Sequence, residues 1–209
     1  MSGTRRNPSP RPVGRAVAFG AAVVVFALLL AGCGSGAGSQ NVEQLLLTAP
    51  NTDIAVTIPT GWHQVIDSTN PSTAEMVFPT TCMGNAEATC ATGLARLATF
   101  VAPSAEAAAQ TVQRAVSTAP GVRSAAITSH GPGKVGQRDG YRLRFNFSNA
   151  TAKLVSDVAA VPTGSPTPDA HGNHEFSIVL VWISNVPSAP KQDLIDQIVG
   201  SALFVGGHP

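Results

Sequence analysis

The sequence predicts an α+β fold, a single domain in which an antiparallel β-sheet is sandwiched by helices. Short apolar segments with a two-residue period recur in hairpin-like runs, and two segments with helical periodicity interrupt them. Charged residues make up only 12% of the 209 residues, while 20 Gly and 16 Pro are typical of strands joined by turns. The length allows one domain plus tails, and the sequence contains no evident internal repeat.

The first half of the predicted sheet precedes residue 102. Residues 41–49 (NVEQLLLTA) allow either a strand or a helical turn. Ile54, Val56 and Ile58 alternate with Ala and Thr and then meet a Pro-x-Gly turn, which is the pattern of a strand that leads into a hairpin. The strands predicted in this half cover residues 54–58, 62–66, 75–78 and 93–101.

A change of period after Pro103 predicts the first helix. Ser104 is the expected N-cap, Glu106 suits the positive end of the helix dipole, and the Pro-Gly pair at 120–121 ends the helix. The predicted packing face consists of Ala108, Val112, Ala115 and Val116. Because these side chains are small, we expect the helix to pack closely on the sheet.

The second half of the sheet follows this helix. Strand segments are predicted at residues 122–129 and 134–137, around a bend at 131–133, and at 141–148 after a turn at Asp139-Gly140. In the last segment, alternation places Tyr141, Leu143, Phe145 and Phe147 on one face and Arg142, Arg144 and Asn146 on the other. Residues 176–183 (FSIVLVWI) are apolar on both faces, which predicts a central strand covered on each side.

Two further segments complete the predicted domain, which spans residues 42–209. The Pro- and Thr-rich residues 161–174 cannot support regular structure, so we expect an exposed loop. Pro190 opens a second helix. The apolar positions of this helix are Leu194, Ile195, Ile198, Val199, Ala202 and Leu203.

The N-terminal residues predict export and a lipid anchor. Residues 16–30 form an uncharged apolar run after a basic segment, and this run is shorter than the roughly 20 residues that span a bilayer. It ends in Leu-Ala-Gly-Cys, which resembles the lipobox of bacterial lipoproteins. We therefore expect a signal peptide at 1–32, a diacylated Cys33, and a Gly/Ser tether at 33–41. The predicted location is the extracytoplasmic face of the cell membrane, with the lipid bilayer as a partner.

The charge distribution argues against a nucleic-acid partner. Four of the 13 Lys and Arg residues precede residue 33, so the remaining chain carries nine basic and 12 acidic groups. A negative net charge does not attract a phosphate backbone. Four of the nine, Lys134, Arg138, Arg142 and Arg144, lie close in sequence. They predict either a basic surface for an anionic lipid or glycan, or an ordinary solvated sheet face.

The remaining cysteines, Cys82 and Cys90, form an even pair in an exported chain, and export favours a disulfide between them. The pair lacks the C-x-x-C spacing of redox-active cysteines, and no His lies near this segment in sequence. Free thiols are the other option that the sequence leaves open.

Residues 169–175 (DAHGNHE) contain the residue types of a zinc site: His171 and His174, flanked by Asp169 and Glu175. Hydrolase motifs place their His on a helix with a Glu between them, whereas the intervening Gly and Asn indicate a turn here. We therefore prefer a solvated loop, and an extracytoplasmic metal-assisted hydrolase that uses this segment is the alternative. Nucleophile-elbow and nucleotide-binding motifs are absent from the sequence, so we assign no catalytic residue, metal ion or cofactor.

Several of these segments together resemble a known family. Residues 54–62 (IAVTIPTGW), the strand 93–101 that feeds the helix at 105–116, the hairpin into 140–148 (GYRLRFNFS), and a last strand before a C-terminal helix are similar to the LpqN/LpqT-type lipoproteins of mycobacteria. The resemblance covers about residues 53–205 and implies the PsbP-like fold, an antiparallel sheet sandwiched by helices. It also implies a non-catalytic protein tied to lipid transport and protein partners in the cell envelope.

We therefore expect a membrane-anchored cell-envelope lipoprotein that acts as a non-catalytic binding or accessory module for envelope lipids or membrane-protein partners. Trp62, Tyr141 and Trp182 are the predicted ligand contacts, because large aromatic side chains dominate such interfaces. Burial of all three in the hydrophobic core is the alternative.

Replacement of Cys33 tests the predicted anchor. The Cys33→Ala chain lacks the thiol that is acylated, so we expect it to stay uncleaved after Gly32 and to take up no labelled palmitate. Intact-mass spectrometry and palmitate labelling in cells measure the two effects. Normal maturation and palmitate uptake by this variant would show that the lipoprotein prediction is wrong.

Overall fold

In the computed structural model the described residues are 44–50, 52–65, 72–82, 90–164 and 167–205, all within one unit, Gln40–Pro209. They form β1 (Gln44–Thr48), β2 (Ile54–Pro59), β3 (His63–Val65), β4 (Ala74–Phe78), β5 (Gly93–Ala102), α1 (Ala105–Ser117), β6 (Ser124–Val135), β7 (Arg138–Ser148), β8 (Lys153–Pro162), β9 (His174–Ser184), α2 (Leu194–Gly200) and β10 (Leu203–Phe204). The predicted signal peptide, Cys33 and the whole tether lie outside these residues. The α+β class is confirmed.

The strands form two antiparallel sheets. The large sheet has seven strands in the order β3-β4-β5-β9-β8-β7-β6, and the small sheet has three in the order β1-β2-β10. β9 occupies the central position of the large sheet, and its residues 176–184 are all buried. Its apolar sequence predicted this position, because a central strand is covered on both faces.

Helix α1 covers one face of the large sheet. The predicted alternation in β7 is confirmed: Tyr141, Leu143, Phe145 and Phe147 are buried in the core beneath this helix. The predicted N-cap is also confirmed, since the Ser104 side chain accepts a hydrogen bond from the backbone N–H of Ala107 at 3.1 Å.

The packing face of α1 differs from the predicted one. Ala108 and Ala109 are the buried residues of this helix, whereas Ala115 is exposed. Val112 and Val116 are half-buried and pack against the same core, as predicted, so Ala115 is the one predicted face residue that lies outside it. Periodicity located the apolar stripe but could not show how far the sheet extends beneath it.

The opposite face of the large sheet is covered by the small sheet together with α2. Val56 and Ile58 of β2 join Ile195 and Ile198 of α2 in one core with Val181 of β9. Helices on both faces were predicted, but α2 has only seven residues and is about 10 Å long. Strands supply the rest of this cover, so the two faces are covered by different kinds of element.

The hairpin between β6 and β7 corrects two predictions. Residues 131–133 do not bend the chain, because β6 continues through them in register with β7. Asp139 and Gly140 pair with Lys134 and Gly133 inside the ladder, so they are not the turn. The turn lies at Gly136, whose φ of +56° is the left-handed conformation that glycine adopts without strain.

Several segment boundaries also differ from the predicted ones. β8 was not predicted, and it extends through Val161, which is fully buried, to Pro162. The predicted loop at 161–174 therefore begins two residues later and ends before β9. The second helix begins at Leu194 instead of Pro190, and Leu203 lies in β10, where it is 56% exposed. Residues 41–49, which allowed two interpretations, contain β1.

Substitution of Gly136 by Ala tests how closely the β6–β7 turn packs against the segment after α2. A Cβ at this position would lie 1.9 Å from the carbonyl oxygen of Ala202, in addition to the positive φ. We expect Gly136→Ala to lower the free energy of unfolding by about 2–5 kcal/mol, the combined effect of backbone strain and overpacking. Urea unfolding followed by circular dichroism measures this loss.

Gly121→Ala is the matched control, because Gly121 has a φ of +88° but a Cβ at this position would meet no atom within 4 Å. Backbone strain alone should lower its free energy of unfolding by about 1–2 kcal/mol. Equal losses in the two variants would contradict the close contact at Gly136.

Candidate functional site

The most concentrated group of charges lies on the α2 side of the large sheet. Arg142 and Arg144 alternate along β7 and so project from the same face, while Asp157 lies opposite Arg144 on β8. Asp157 is only 2% exposed and accepts hydrogen bonds from Nη2 of Arg142 at 2.5 Å and Nη2 of Arg144 at 3.2 Å. A buried carboxylate needs such partners, because an unpaired charge in the core is strongly destabilising.

Asp196 of α2 completes this cluster. Its Oδ1 accepts hydrogen bonds from Arg142 at 2.8 Å and from Arg144 at 2.7 Å. Burial by itself raises the pKa of Asp196, but the hydrogen bonds and charges of the two arginines outweigh it and the pKa is lowered. Burial also disfavours the charged form of Arg142, yet Asp157 and Asp196 raise its pKa. The contacts of the cluster therefore favour the charged forms of Arg142 and Asp196.

A groove of about 290 Å³ lies beside this cluster, and the backbone of β6 forms its other wall. Its lining residues are Ser129, His130, Gly131, Pro132, Gly133, Arg142, Arg144, Asp157 and Asp196. The two arginines face two aspartates, so the cluster has no net charge. The ion pairs of this cluster join α2 to strands β7 and β8, so its role is to stabilise the packing of the helix on the sheet.

The predicted basic surface is also neutralised at its other positions. Lys134 pairs with Asp139 at 2.7 Å, and Arg138 lies 3.3 Å from Asp53 while its guanidinium stacks 3.8 Å above the Phe204 ring. Each of the four cations close in sequence therefore has a carboxylate partner. This pairing favours an ordinary solvated sheet face over a basic surface for an anionic lipid or glycan.

Asp53 is a second buried carboxylate that joins distant segments. It accepts hydrogen bonds from the hydroxyl of Ser177 at 2.8 Å, the backbone N–H of Gly164 at 2.9 Å and Arg138 at 3.3 Å. These partners belong to β9, the loop after β8, and β7. Asp53 therefore holds the start of β2 against the large sheet.

The three aromatic residues predicted as ligand contacts lie in the hydrophobic cores. Trp62 is 2% exposed and packs 5.8 Å from Phe78, in the core that contains the small sheet. Trp182 is 8% exposed and packs edge-on to Phe147 in the core under α1, on the opposite face of the large sheet. Trp62 and Trp182 therefore do not converge on one groove, and each side chain has a packing role.

Tyr141, the third predicted contact, takes part in a hydrogen-bonded chain at the start of α1. Its hydroxyl donates to Oε1 of Glu106 at 3.1 Å and lies 2.9 Å from Nδ1 of His130. Burial raises the pKa of Tyr141, and the hydrogen bond to Glu106 raises it further. The chain joins α1, β6 and β7, and both of its ends, Glu106 and His130, are exposed to solvent.

The segment that contains His171 and His174 forms a turn. Oδ1 of Asp169 accepts hydrogen bonds from the backbone N–H groups of His171 at 2.8 Å and Asn173 at 2.9 Å, and Gly172 adopts a φ of +77°. The backbone and side-chain hydrogen bonds of Asn173 lower the pKa of Asp169. Among the described residues, no group of three or more His, Cys, Asp or Glu is placed to hold a metal ion.

Cys82 and Cys90 are bonded to each other, as export predicts. Cys82 is buried at 1% exposure and Cys90 is exposed, so the disulfide lies at the margin of the domain. No helix of the described segments is long and apolar enough to cross a membrane.

The acidic members of both clusters were not among the residues predicted from the sequence. Asp157 was detectable, because it is the single charge inside the apolar segment LVSDVAAV and therefore needs a buried partner. The position of Asp196 and Asp53 beside their arginines depends on how α2 and β2 pack on the sheet, and no local pattern contains that information.

No protein-family profile and no curated protein matches this chain. Solved structures are similar in fold. A protein of Bacteroides thetaiotaomicron has a TM-score of 0.40 at 9% identity, and the match covers 74% of this chain but only 46% of that one. The solution structure of cyanobacterial PsbP from Synechocystis has a TM-score of 0.43 at 14% identity, with 82% and 98% covered. LpqN of Mycobacterium tuberculosis, which is involved in cell envelope biogenesis, has a TM-score of 0.45 at 10% identity, with 80% and 93% covered. Likeness at this level carries no functional inference, and membership of the LpqN/LpqT-type family stays a prediction.

Replacement of Asp157 tests how much this ion-pair cluster stabilises the domain. Asp157→Ala leaves Arg142 and Arg144 with one carboxylate between them, so we expect the free energy of unfolding to fall by about 2–4 kcal/mol. This loss is near the lower end of that expected when a buried ion pair is broken, because the side chains of Arg142 and Arg144 are 27% and 32% exposed. Urea unfolding at pH 7 measures the loss.

Asp139→Ala is the control for this experiment, because its carboxylate is 90% exposed in the pair with Lys134. We expect a change within about 0.5 kcal/mol for this surface pair. A loss at Asp157 as small as that at Asp139 would show that the cluster does not hold α2 in place.

Proposed function

We propose that this chain is a lipid-anchored accessory protein of the cell envelope, which binds an extended segment of a protein partner along the free edge of β6. Diacylated Cys33 would hold the domain at the extracytoplasmic face of the membrane. The sequence of residues 16–33 supports the anchor, and the exposed edge of the large sheet supports the mode of binding.

The observation that carries this proposal is the exposure of β6. Among the described strands it is the last of the large sheet, and it pairs with β7 on one side alone. Its 12 residues are exposed or half-buried except for Val135. An edge strand offers unpaired backbone N–H and C=O groups, and a partner's strand can pair with them.

Natural edge strands are protected by charges, prolines, bulges or short length. In β6, Pro132 and Lys134 lie in the second half, and a register shift between Ile127 and Ser129 interrupts the first half. Residues 124–126, ahead of this shift, are uncharged Ser, Ala and Ala. At the other edge of the sheet, β3 has only three residues.

A protein partner fits the described residues better than a bound lipid does. Two cavities among the described residues measure about 290 and 120 Å³, and their linings are about equally polar and apolar. Pockets for small-molecule ligands usually measure about 300–1,000 Å³ and are mainly apolar. The smaller cavity is below this size, and neither has the mainly apolar lining that suits an acyl chain. The alternative of a metal-assisted hydrolase has no support from the turn at Asp169.

Site-specific crosslinking in cells tests the proposed edge. A photoreactive amino acid replaces Thr128 in the full-length chain, next to the unprotected segment, and Ala126→Lys is then added to place a charge on that edge. We expect one protein adduct from Thr128, with its yield reduced about tenfold by Ala126→Lys, since a desolvated charge opposes strand pairing. Mass spectrometry of the adduct identifies the crosslinked peptide.

The control places the same photoreactive residue at Ala115, which is exposed on α1. Equal adducts from Ala115 and Thr128, or an adduct insensitive to Ala126→Lys, would contradict binding at the edge of β6. So would an adduct that contains a second copy of this chain in place of another protein. Circular dichroism of each variant checks that the domain remains folded.

A further inference from the structure

Exposed apolar side chains concentrate on the small sheet. Six large apolar residues are exposed in the part of the chain that the structure describes, and four of them belong to this sheet or its immediate continuation. These four are Leu45, Leu46, Leu203 and Val205, at 40%, 51%, 56% and 48% exposure. The other two, Val101 and Ile127, lie singly on β5 and β6, and isolated residues of this kind are normal on protein surfaces.

The pairing of the small sheet places three of the four on its outer face. Leu46 lies opposite Thr57 on one side of β2, and Leu203 lies opposite Ala55 on the other side. The residues that alternate with them, including Leu47 and Phe204, belong to the core beneath the sheet. Two strand spacings separate β1 from β10, and the two leucines are offset by two residues along the strands, so Leu46 and Leu203 lie about 12 Å apart across one surface.

Val205 extends this outer face. Its backbone N–H donates to the carbonyl oxygen of Asp53 at 2.9 Å, so the pairing of β10 continues for one residue beyond Phe204. Alternation along the strand then places Val205 on the same side as Leu203. The outer face therefore carries Leu46, Leu203 and Val205, and between them lie threonine side chains and Ala55, which is fully buried.

The strands that form this face carry no charge. Their sequences are QLLLT, IAVTIP and LF. A protein surface that is exposed to water on all sides usually contains charged side chains, and an apolar surface without them is typical of a contact with another apolar phase. The chemistry of the face therefore suits the interfacial region of a lipid bilayer.

The position of the face along the chain indicates which apolar phase it meets. β1 begins at Gln44, eleven residues after Cys33. A fully extended chain spans at most about 3.6 Å per residue, so β1 begins within about 40 Å of an acylated Cys33. Provided that the proposed lipid anchor is present, on which this placement rests, the tether keeps the outer face of the small sheet within reach of the bilayer.

We propose that the outer face of the small sheet docks on the bilayer, with Leu46, Leu203 and Val205 in the interfacial region. The acyl chains supply the attachment, and the face determines which side of the domain is turned toward the membrane. Tethering raises the effective concentration of the face at the bilayer, so a small apolar patch suffices for contact.

Depth-sensitive fluorescence tests the docking. The full-length lipidated chain carries Leu203→Cys or, as a second site, Leu46→Cys, labelled with an environment-sensitive dye. Ile127→Cys and Val101→Cys are matched controls, because these residues are 48% and 55% exposed but lie outside the small sheet. The chains are reconstituted into vesicles of phosphatidylethanolamine and phosphatidylglycerol, with or without brominated acyl chains as quenchers.

We expect dyes at 203 and 46 to be quenched about threefold more strongly than dyes at 127 and 101, since an interfacial side chain lies about 5–10 Å into the headgroup and acyl boundary. Equal quenching at all four positions would overturn the docking. So would a dye at 203 that is shielded from water but not quenched by lipid, because another occupant, such as a second copy of the chain, would then cover the face.

Flotation of the unlabelled chain with the vesicles separates this proposal from the one on which it rests. Flotation without quenching at 203 or 46 overturns the docking and retains the lipid anchor. A chain that does not float, and that lacks acyl groups by intact mass, overturns the anchor and the docking together.

Discussion

The large sheet must be covered on both faces, and this requirement organises the rest of the domain. Side chains of β9 alternate between the two cores: Val179 and Val181 face the small sheet, whereas Ile178 and Leu180 face α1. Burial of each such side chain contributes about 1.5–3 kcal/mol, so leaving either face open would forfeit a large part of the folding free energy. The chain meets the requirement with two unlike covers, one helical and one mainly of strands.

The two covers need different means of attachment. Helix α1 packs by its alanine surface and is positioned by Ser104 and by the Glu106–Tyr141 hydrogen bond. The other cover combines a short helix with a small sheet, and elements of this size are marginal in isolation. Buried carboxylates supply the remaining attachment, with Asp157 at α2 and Asp53 at β2. Polar groups in this core therefore determine where its parts lie.

Sequence patterns predicted the elements that local physics specifies. β2, β5, β7, β9 and α1 were predicted because their periodicity and caps are properties of the segments themselves. β8 was missed because KLVSDVAAVP is apolar on both faces and carries Asp157, whose partners lie on other elements. The two-residue β10 exists only because it pairs with β2, far away in sequence. The burial of Trp62 and Trp182 and the charge balance of the arginines likewise depend on tertiary neighbours.

The same construction accounts for the surfaces that remain open. An antiparallel sheet that does not close into a barrel has two edge strands. In the large sheet these are the three-residue β3 and the 12-residue β6. A small sheet used as a cover buries one of its faces and leaves the second to solvent, and its short strands contain no charge to hydrate that face. The unprotected part of β6 and the outer face of the small sheet lie on different elements. Contact of the outer face of the small sheet with a membrane would therefore leave the backbone groups of β6 available, and a domain held at a bilayer in this way could still pair with a second protein.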